Sequence, residues 1–275
     1  MRTLTEEQGE PTEVHTKPRI YLDGFPKSGL HLAVLMVRTI EAQAALDPPW
    51  TGSFGYNAWS TEWRPIPQIM AGLRQLRNGT WLKGHLGYRP EIEQYLYWHG
   101  VAFCFVYRDL RDVLVSQSYH VISEDDEKFY HPGKDVFRAM GHEERLLACL
   151  HGIGPYSGLF DRWELYAPWL HVPWVHHLRY EDMTTDRAGV ALGFVRYVFE
   201  RTAWGVTNAE LVASSMERIA EAVANNMSIT SMSPTFRKGG SGGWREEFTS
   251  RVKDEFKAKA GDWLVRLGYE ENDAW

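Results

Sequence analysis

The segment Gly24-Phe25-Pro26-Lys27-Ser28-Gly29 places a lysine, a hydroxyl and two glycines between a short apolar run and a helix-like stretch. Backbone N–H groups at a helix N-terminus point toward an anion, and the helix dipole favours negative charge there. Lys27 adds a full positive charge, and Gly29 lets the backbone approach closely. The segment therefore reads as a cradle for phosphate or sulfate. It is not a Walker A loop, in which the glycine precedes Lys-Ser/Thr. A Mg²⁺-dependent nucleotide triphosphatase or nucleoside kinase is disfavoured on that ground. No compact His/Cys/carboxylate set stands out, so no metal site is expected.

Four further segments follow in order. They are Lys83-Gly84-His85-Leu86, the stretch from Tyr107 through Arg108, Arg111 and Asp112 to Ser116, Arg179-Tyr180-Glu181-Asp182-Met183, and the late stretch Phe236-Arg237-Lys238-Gly239 through Gly243-Trp244 to Thr249. With the lysine loop, these resemble the PAPS-dependent sulfotransferase family of the cytosolic type, PAPS being 3′-phosphoadenosine-5′-phosphosulfate. The resemblance runs from about Arg19 to about Thr249.

The resemblance implies a set of roles. Lys27, Ser28 and Gly29, with Leu30, His31 and Leu32 beyond them, match the loop that holds the 5′-phosphosulfate, and Lys27 matches the lysine that stabilises the leaving oxygen. A cation there acts mainly in the transition state, where that oxygen gains charge. Arg108 and Ser116 match the pair that binds the 3′-phosphate, and Phe236, Arg237, Lys238 and Gly239 match the late loop closing on the same phosphate. Arginine forks suit phosphate oxygens. Tyr180 matches a tyrosine near the adenine, and Ser214 aligns loosely with a hydroxyl residue in that region. His85 matches the general base, since a neutral imidazole takes a proton from an attacking hydroxyl. Lys83 matches a lysine facing the transferred sulfuryl group, and Ser116 joins His85, Lys27 and Lys83 in the catalytic set. Glu181 and Asp182 read as structural, because carboxylates facing a polyanion repel it.

The chain departs from the family pattern in two places. The family continues Thr-Thr-Trp after the lysine loop, where this chain has Leu30, His31 and Leu32. His31 can donate one hydrogen bond in place of two hydroxyls, and Leu32 cannot stack on adenine. The family favours Gly-Asp-Trp where this chain reads Gly242-Gly243-Trp244. The altered first loop is the support for an alternative, a phosphonucleotide-binding protein on the same fold with little or no transferase activity. The retained His85, Lys83 and Lys27 speak against it.

An acceptor site is suggested by Trp50, Phe54, Tyr56, Trp59 and Trp63, which crowd one loop, with Tyr130, His131 and Tyr156 at its mouth. An aromatic, apolar pocket suits a phenol, a steroid-like molecule or another small hydrophobic acceptor. Rings that pack a loop onto the core explain the same residues equally well.

These residues need elements to bring them together. Arg19–Phe25, Thr80–Lys83, Val101–Tyr107 and Val172–Leu178 read as buried strands. Helical spacing covers Ser28–Leu46, Ile69–Leu76, a short helix opened by Pro90, Asp109–His120, two or more helices over Asp135–Leu170, and Thr184–Glu200. A helix-rich C-terminal part follows. Strands alternating with helices predict an α/β fold with a mostly parallel central sheet flanked by helices, the three-layer arrangement of nucleotide kinases. Ligands of such sheets bind beyond the carboxyl ends of the strands, where every motif above falls.

Residues 1–18 read as a mobile leader without signal-peptide character, and 19–275 as one sulfotransferase domain. At 275 residues, 44% hydrophobic and 24% charged, the chain has ample material for a core. A net charge of −6 argues against a general nucleic-acid binder. No apolar run approaches the roughly 18 residues of a membrane span. With only Cys104 and Cys149 available, no disulfide framework is implied. The expected partner is a small-molecule acceptor, without membrane or nucleic acid, and the expected compartment is the cytoplasm.

Overall fold

The computed structural model describes residues 18–44, 64–123, 131–202, 209–227 and 240–275, with the side chains of 41–44 and 209–215 excepted. The leader 1–17 lies outside the described residues, as do Trp50, Phe54, Tyr56, Trp59, Trp63, Tyr130 and the late-loop residues Phe236, Arg237, Lys238 and Gly239.

The chain begins with β1 (Ile20–Gly24), α1 (Leu30–Ala44), α2 (Ile66–Leu73), β2 (Trp81–Gly84), α3 (Pro90–Trp98), β3 (Ala102–Tyr107) and α4 (Leu110–His120). It continues through α5 (Lys134–Arg138), α6 (His142–His151), the hairpin β4 (Gly152–Ile153) and β5 (Tyr156–Ser157), α7 (Leu159–Tyr166) and a 3-10 segment, Ala167–His171. The rest comprises β6 (His176–Arg179), α8 (Tyr180–Thr185), α9 (Arg187–Thr202), α10 (Ala209–Asn226), α11 (Trp244–Glu247), α12 (Ser250–Ala260) and α13 (Trp263–Arg266).

The strands β1, β2, β3 and β6 form one parallel sheet in the order β2-β1-β3-β6. Side chains alternate across it. Tyr21 and Phe25 of β1, with Phe103 and Phe105 of β3, face a core built with α3, α4, α6, α7 and α12. Ile20 and Leu22, with Ala102, Cys104 and Val106, face the opposite core under α1, α9 and α10. Burial on both faces explains why β3 reads as a continuous apolar run and β1 as one broken only by Asp23. Cys104 is a fully buried free thiol. The chain leaves β1 toward one edge and β3 toward the other, so their carboxyl ends flank a crevice at the switch in strand order.

Several boundaries differ from the sequence reading. The fourth strand is His176–Arg179 rather than Val172–Leu178. The 3-10 segment and a turn closed by Val175 N–H on Val172 O occupy the earlier residues. The first helix starts at Leu30 because Pro26 to Gly29 are spent on a turn. Asp109 caps α4 rather than belonging to it, accepting from the Arg111 N–H. The expected helix Thr184–Glu200 is two helices, broken at Asp186, whose Oδ1 accepts from Gly189 N–H at 3.0 Å. Among the described residues, no helix is long and apolar enough to cross a membrane.

Candidate functional site

The lysine loop begins where β1 ends. Ser28 N–H donates to Phe25 O at 3.0 Å, closing a four-residue turn with Pro26 second and Lys27 third. Lys27 has φ 73°, the left-handed value that the third position of a type II turn demands and that glycine normally fills. A non-glycine residue held there costs of order 1 kcal/mol. Burial first, and Arg108 second, bring the Lys27 ammonium down from 10.5 to about 8. A lysine charge is thus kept in a strained, poorly hydrated position beside a second cation, an arrangement that an anionic ligand would relieve.

Other groups at this point lack acceptors. The Ser28 hydroxyl is fully buried and has no hydrogen-bond partner, and Arg108 Nε is likewise buried without one. Orphaned buried donors are costly and rare in proteins. Phosphate oxygens between the two loops would satisfy both, so the residues present fit an anionic nucleotide. Gly29, at φ 93°, is needed for space: a Cβ there would lie 2.3 Å from Cδ2 of Tyr180.

Tyr180, the first residue of α8, therefore packs directly on the lysine loop. The Arg108 guanidinium lies over its ring, 4.2 Å from the centroid. Its hydroxyl accepts from Gly240 N–H at 3.3 Å, and Arg108 donates to Gly240 O at 2.6 Å. Gly240 is the residue that follows the Arg237–Gly239 segment, so the downstream end of the late loop is tied to both Arg108 and Tyr180.

Asp112 makes the second tie, and the sequence reading gave it no role. Its carboxylate accepts from Gly242 N–H at 2.7 Å and Trp244 N–H at 3.0 Å, and it lies 3.7 Å from the Arg108 guanidinium. Spacing held a signal: Arg108, Asp112, Ser116 and His120 recur every fourth residue, which places them on one stripe at and along α4. Ser116 is half-buried on that stripe. Ser214 falls within α10, and its side chain lies outside the described residues.

His85 follows β2. Its Nδ1 lies 2.7 Å from Gly24 O. A carbonyl oxygen only accepts, so Nδ1 carries the hydrogen and Nε2 keeps a lone pair. Burial lowers the His85 pKa; the Gly24 bond partly offsets this, while Lys27, Lys83 and Arg162 add to it. The ring is a neutral base at neutral pH. Burial, then Arg38, lowers the Lys83 pKa.

His31 lies between Leu30 and Leu32, which are half-buried. Its imidazole is pushed down to about 4 by burial and then by Lys83, Lys27, His85 and Arg38. His120 is driven down to about 3 by burial and by Lys27, His131, His85 and His31. Neutral imidazoles thus gather near Lys27, and His120 is a member that the sequence reading left as structural. Tyr156 packs on His131 with ring centroids 4.6 Å apart. His176 stacks on Tyr197, His177 bonds Trp169 O, and Glu181 receives Tyr269 O–H and Asp109 N–H.

The sulfotransferase domain profile matches residues 17–268. The chain belongs to the sulfotransferase domain family. Among curated proteins no match was found. Mouse sulfotransferase SULT7A1 complexed with PAP is similar in fold, with a TM-score of 0.53 and 19% identity over 92% of this chain and 88% of that one. Retinol dehydratase in complex with androsterone and inactive cofactor PAP gives a TM-score of 0.49 and 17% identity over 89% of this chain and 80% of that one. The parallel sheet flanked by helices is thus the sulfotransferase fold. Among the described residues, no group of His, Cys, Asp and Glu is placed to hold a metal ion.

Proposed function

We propose that this sulfotransferase-family chain moves a sulfuryl group from PAPS to the hydroxyl or amine of a small acceptor by in-line displacement. Adenosine 3′,5′-bisphosphate (PAP) is the product. The observation that carries the reading is the locked tautomer of His85, whose Nδ1–H is spent on Gly24 O three residues before Lys27. Its free lone pair on Nε2 is what a base for an attacking hydroxyl requires.

PAPS supplies the activated sulfuryl group. The chain holds it at two ends. Lys27, Ser28 and the N–H groups opening α1 take the 5′-phosphosulfate; Arg108, Ser116 and the Arg237–Gly239 segment take the 3′-phosphate. Tyr180 offers a ring against the adenine end. In the displacement, the acceptor oxygen bonds to sulfur, the bond from sulfur to the phosphate oxygen breaks, and the acceptor proton moves to His85 Nε2. Lys27 stabilises the charge gathering on the departing phosphate, and Lys83 the charge on the sulfuryl oxygens. An acceptor site formed by Trp50, Phe54, Tyr56 and Trp59 with Tyr156, and a cytoplasmic setting, complete the reading.

The test is His85→Ala, assayed with labelled PAPS and mixed phenols, alcohols and amines. Turnover should fall about 10²-fold or more, with PAP affinity within about twofold of wild type. Unchanged turnover removes His85 as the base. Tight PAP binding by wild type with no turnover on any acceptor favours the binding-protein alternative.

A further inference from the structure

Asp23 is an acidic residue in an aromatic core. It shares a face of β1 with Tyr21 and Phe25, it is fully buried, and its register partner on β3 is Phe105. Its Oδ1 accepts from Leu86 N–H at 2.6 Å, and its Oδ2 has no partner. Burying a half-satisfied carboxyl costs several kcal/mol, and an apolar residue of similar size would serve packing better. The neighbouring polar contacts indicate what the carboxyl is kept for. Two adjacent residues of β1 hold two adjacent residues after β2: Gly24 O takes His85 Nδ1–H at 2.7 Å, and Asp23 Oδ1 takes the next N–H, that of Leu86. Leu86 O in turn accepts from Trp169 Nε1 at 2.8 Å, so the peptide beyond His85 is gripped on both sides. Burial raises the Asp23 pKa well above its ordinary value, and the N–H groups of Leu86 and Gly24 offset this in part.

We infer that Asp23 is a positioning residue of the transfer reaction: by gripping Leu86 N–H it fixes the turn from which His85 presents Nε2 to the acceptor. It touches neither substrate and acts through His85, so the inference rests on the assignment of His85 as base. Asp23→Val removes the acceptor at nearly constant volume, and Asp23→Asn keeps an Oδ1 acceptor without a charge. The Val variant should lose roughly 10–100-fold in kcat, the size expected when a reacting group is misplaced by about an ångström. Its PAP affinity should stay within about twofold, because Asp23 bonds to the backbone of Leu86 and Gly24 and to none of the groups proposed to hold PAP. In ¹⁵N spectra, the His85 ring should leave its single Nδ1–H tautomer for a mixture. The Asn variant should keep wild-type kcat within about threefold and the wild-type ring signature. If Asp23→Val does not fold, Asp23→Ala removes the same acceptor and is read the same way.

A Val or Ala variant with wild-type kcat and an unchanged His85 spectrum overturns the inference. So does a parallel loss of kcat and PAP affinity, which would mark Asp23 as part of the fold alone. His85→Ala separates the two levels. If that variant turns over normally, the base assignment is what fails. If it is inactive while the Asp23 variants are normal, only the role of Asp23 fails.

Discussion

Replacing Lys27 with methionine separates what this residue does for the reaction from what it does to the fold. The variant keeps the length and apolar stem of the side chain and loses its charge. The left-handed backbone is common to both proteins and cancels. In the folded protein the ammonium has moved from 10.5 to about 8, and each unit is worth about 1.4 kcal/mol, so holding the charge costs about 3 kcal/mol at neutral pH. The sign follows from proton counts. Below pH 8 both folded and unfolded chains carry the charge and the full penalty is present. Between about 8 and 10.5 the unfolded chain keeps a proton that the folded one has released, so wild-type stability rises with pH. Without that proton, the methionine variant should be more stable than wild type at pH 7 by about 3 kcal/mol, or roughly 5–10 °C in melting temperature. The advantage should shrink to less than half by about pH 9.5. Thermal and urea melts of both proteins without ligand, at both pH values, measure it. A variant no more stable than wild type at pH 7, or an advantage unchanged between the two pH values, would refute the reasoning. Turnover of the stabilised variant should collapse, because the transfer proposed above sets that charge against the leaving phosphate.

Three shorter predictions concern the rest of the site. Asp112→Ala removes the acceptor for two backbone N–H groups of the late loop; PAP affinity measured by calorimetry should fall tenfold or more, and Asp112→Asn, with one acceptor oxygen left, should fall less. Gly29→Ala drives a Cβ to 2.3 Å from the Tyr180 ring and forces alanine to φ 93°, so melting should show a loss of about 2 kcal/mol or more, with weakened PAP binding. Because burial holds the His85 pKa below 6.5, kcat/KM should rise by up to about twofold as pH falls from about 8 and Lys27 gains its proton, hold level to about 6.5, and decline only in more acid solution.

Much of this arrangement was legible in the sequence, for identifiable reasons. β1 and β3 are buried on both faces, so β3 appears as an unbroken apolar run and β1 as one interrupted only at Asp23. The lysine loop and His85 stand immediately after strands, where local order alone sends them to one rim. β6 was misplaced because its residues, His176 to Arg179, are mostly polar and only partly buried, whereas the more apolar Val172–Val175 stretch is bent into a turn by Pro173. The Asp112 clamp spans 130 residues to Gly242, and no local pattern encodes a contact at that range. The glycine at position 29 was read as making room for a ligand; its tightest neighbour is the ring of Tyr180. Asp23 was passed over inside an apolar string, although one carboxylate among five buried strand residues is a local conflict of the kind that marks functional positions.

The sheet order has a consequence for how such a protein diversifies. Lys27 and Arg108 stand just beyond the carboxyl ends of neighbouring strands, β1 and β3, whose parallel pairing sets those ends side by side. The nucleotide grip proposed above is thereby anchored at the buried centre of the sheet. Segments joined to the outer strands and helices are not tied to that pairing, so under the proposed function acceptor preference is free to drift through them while the donor stays the same.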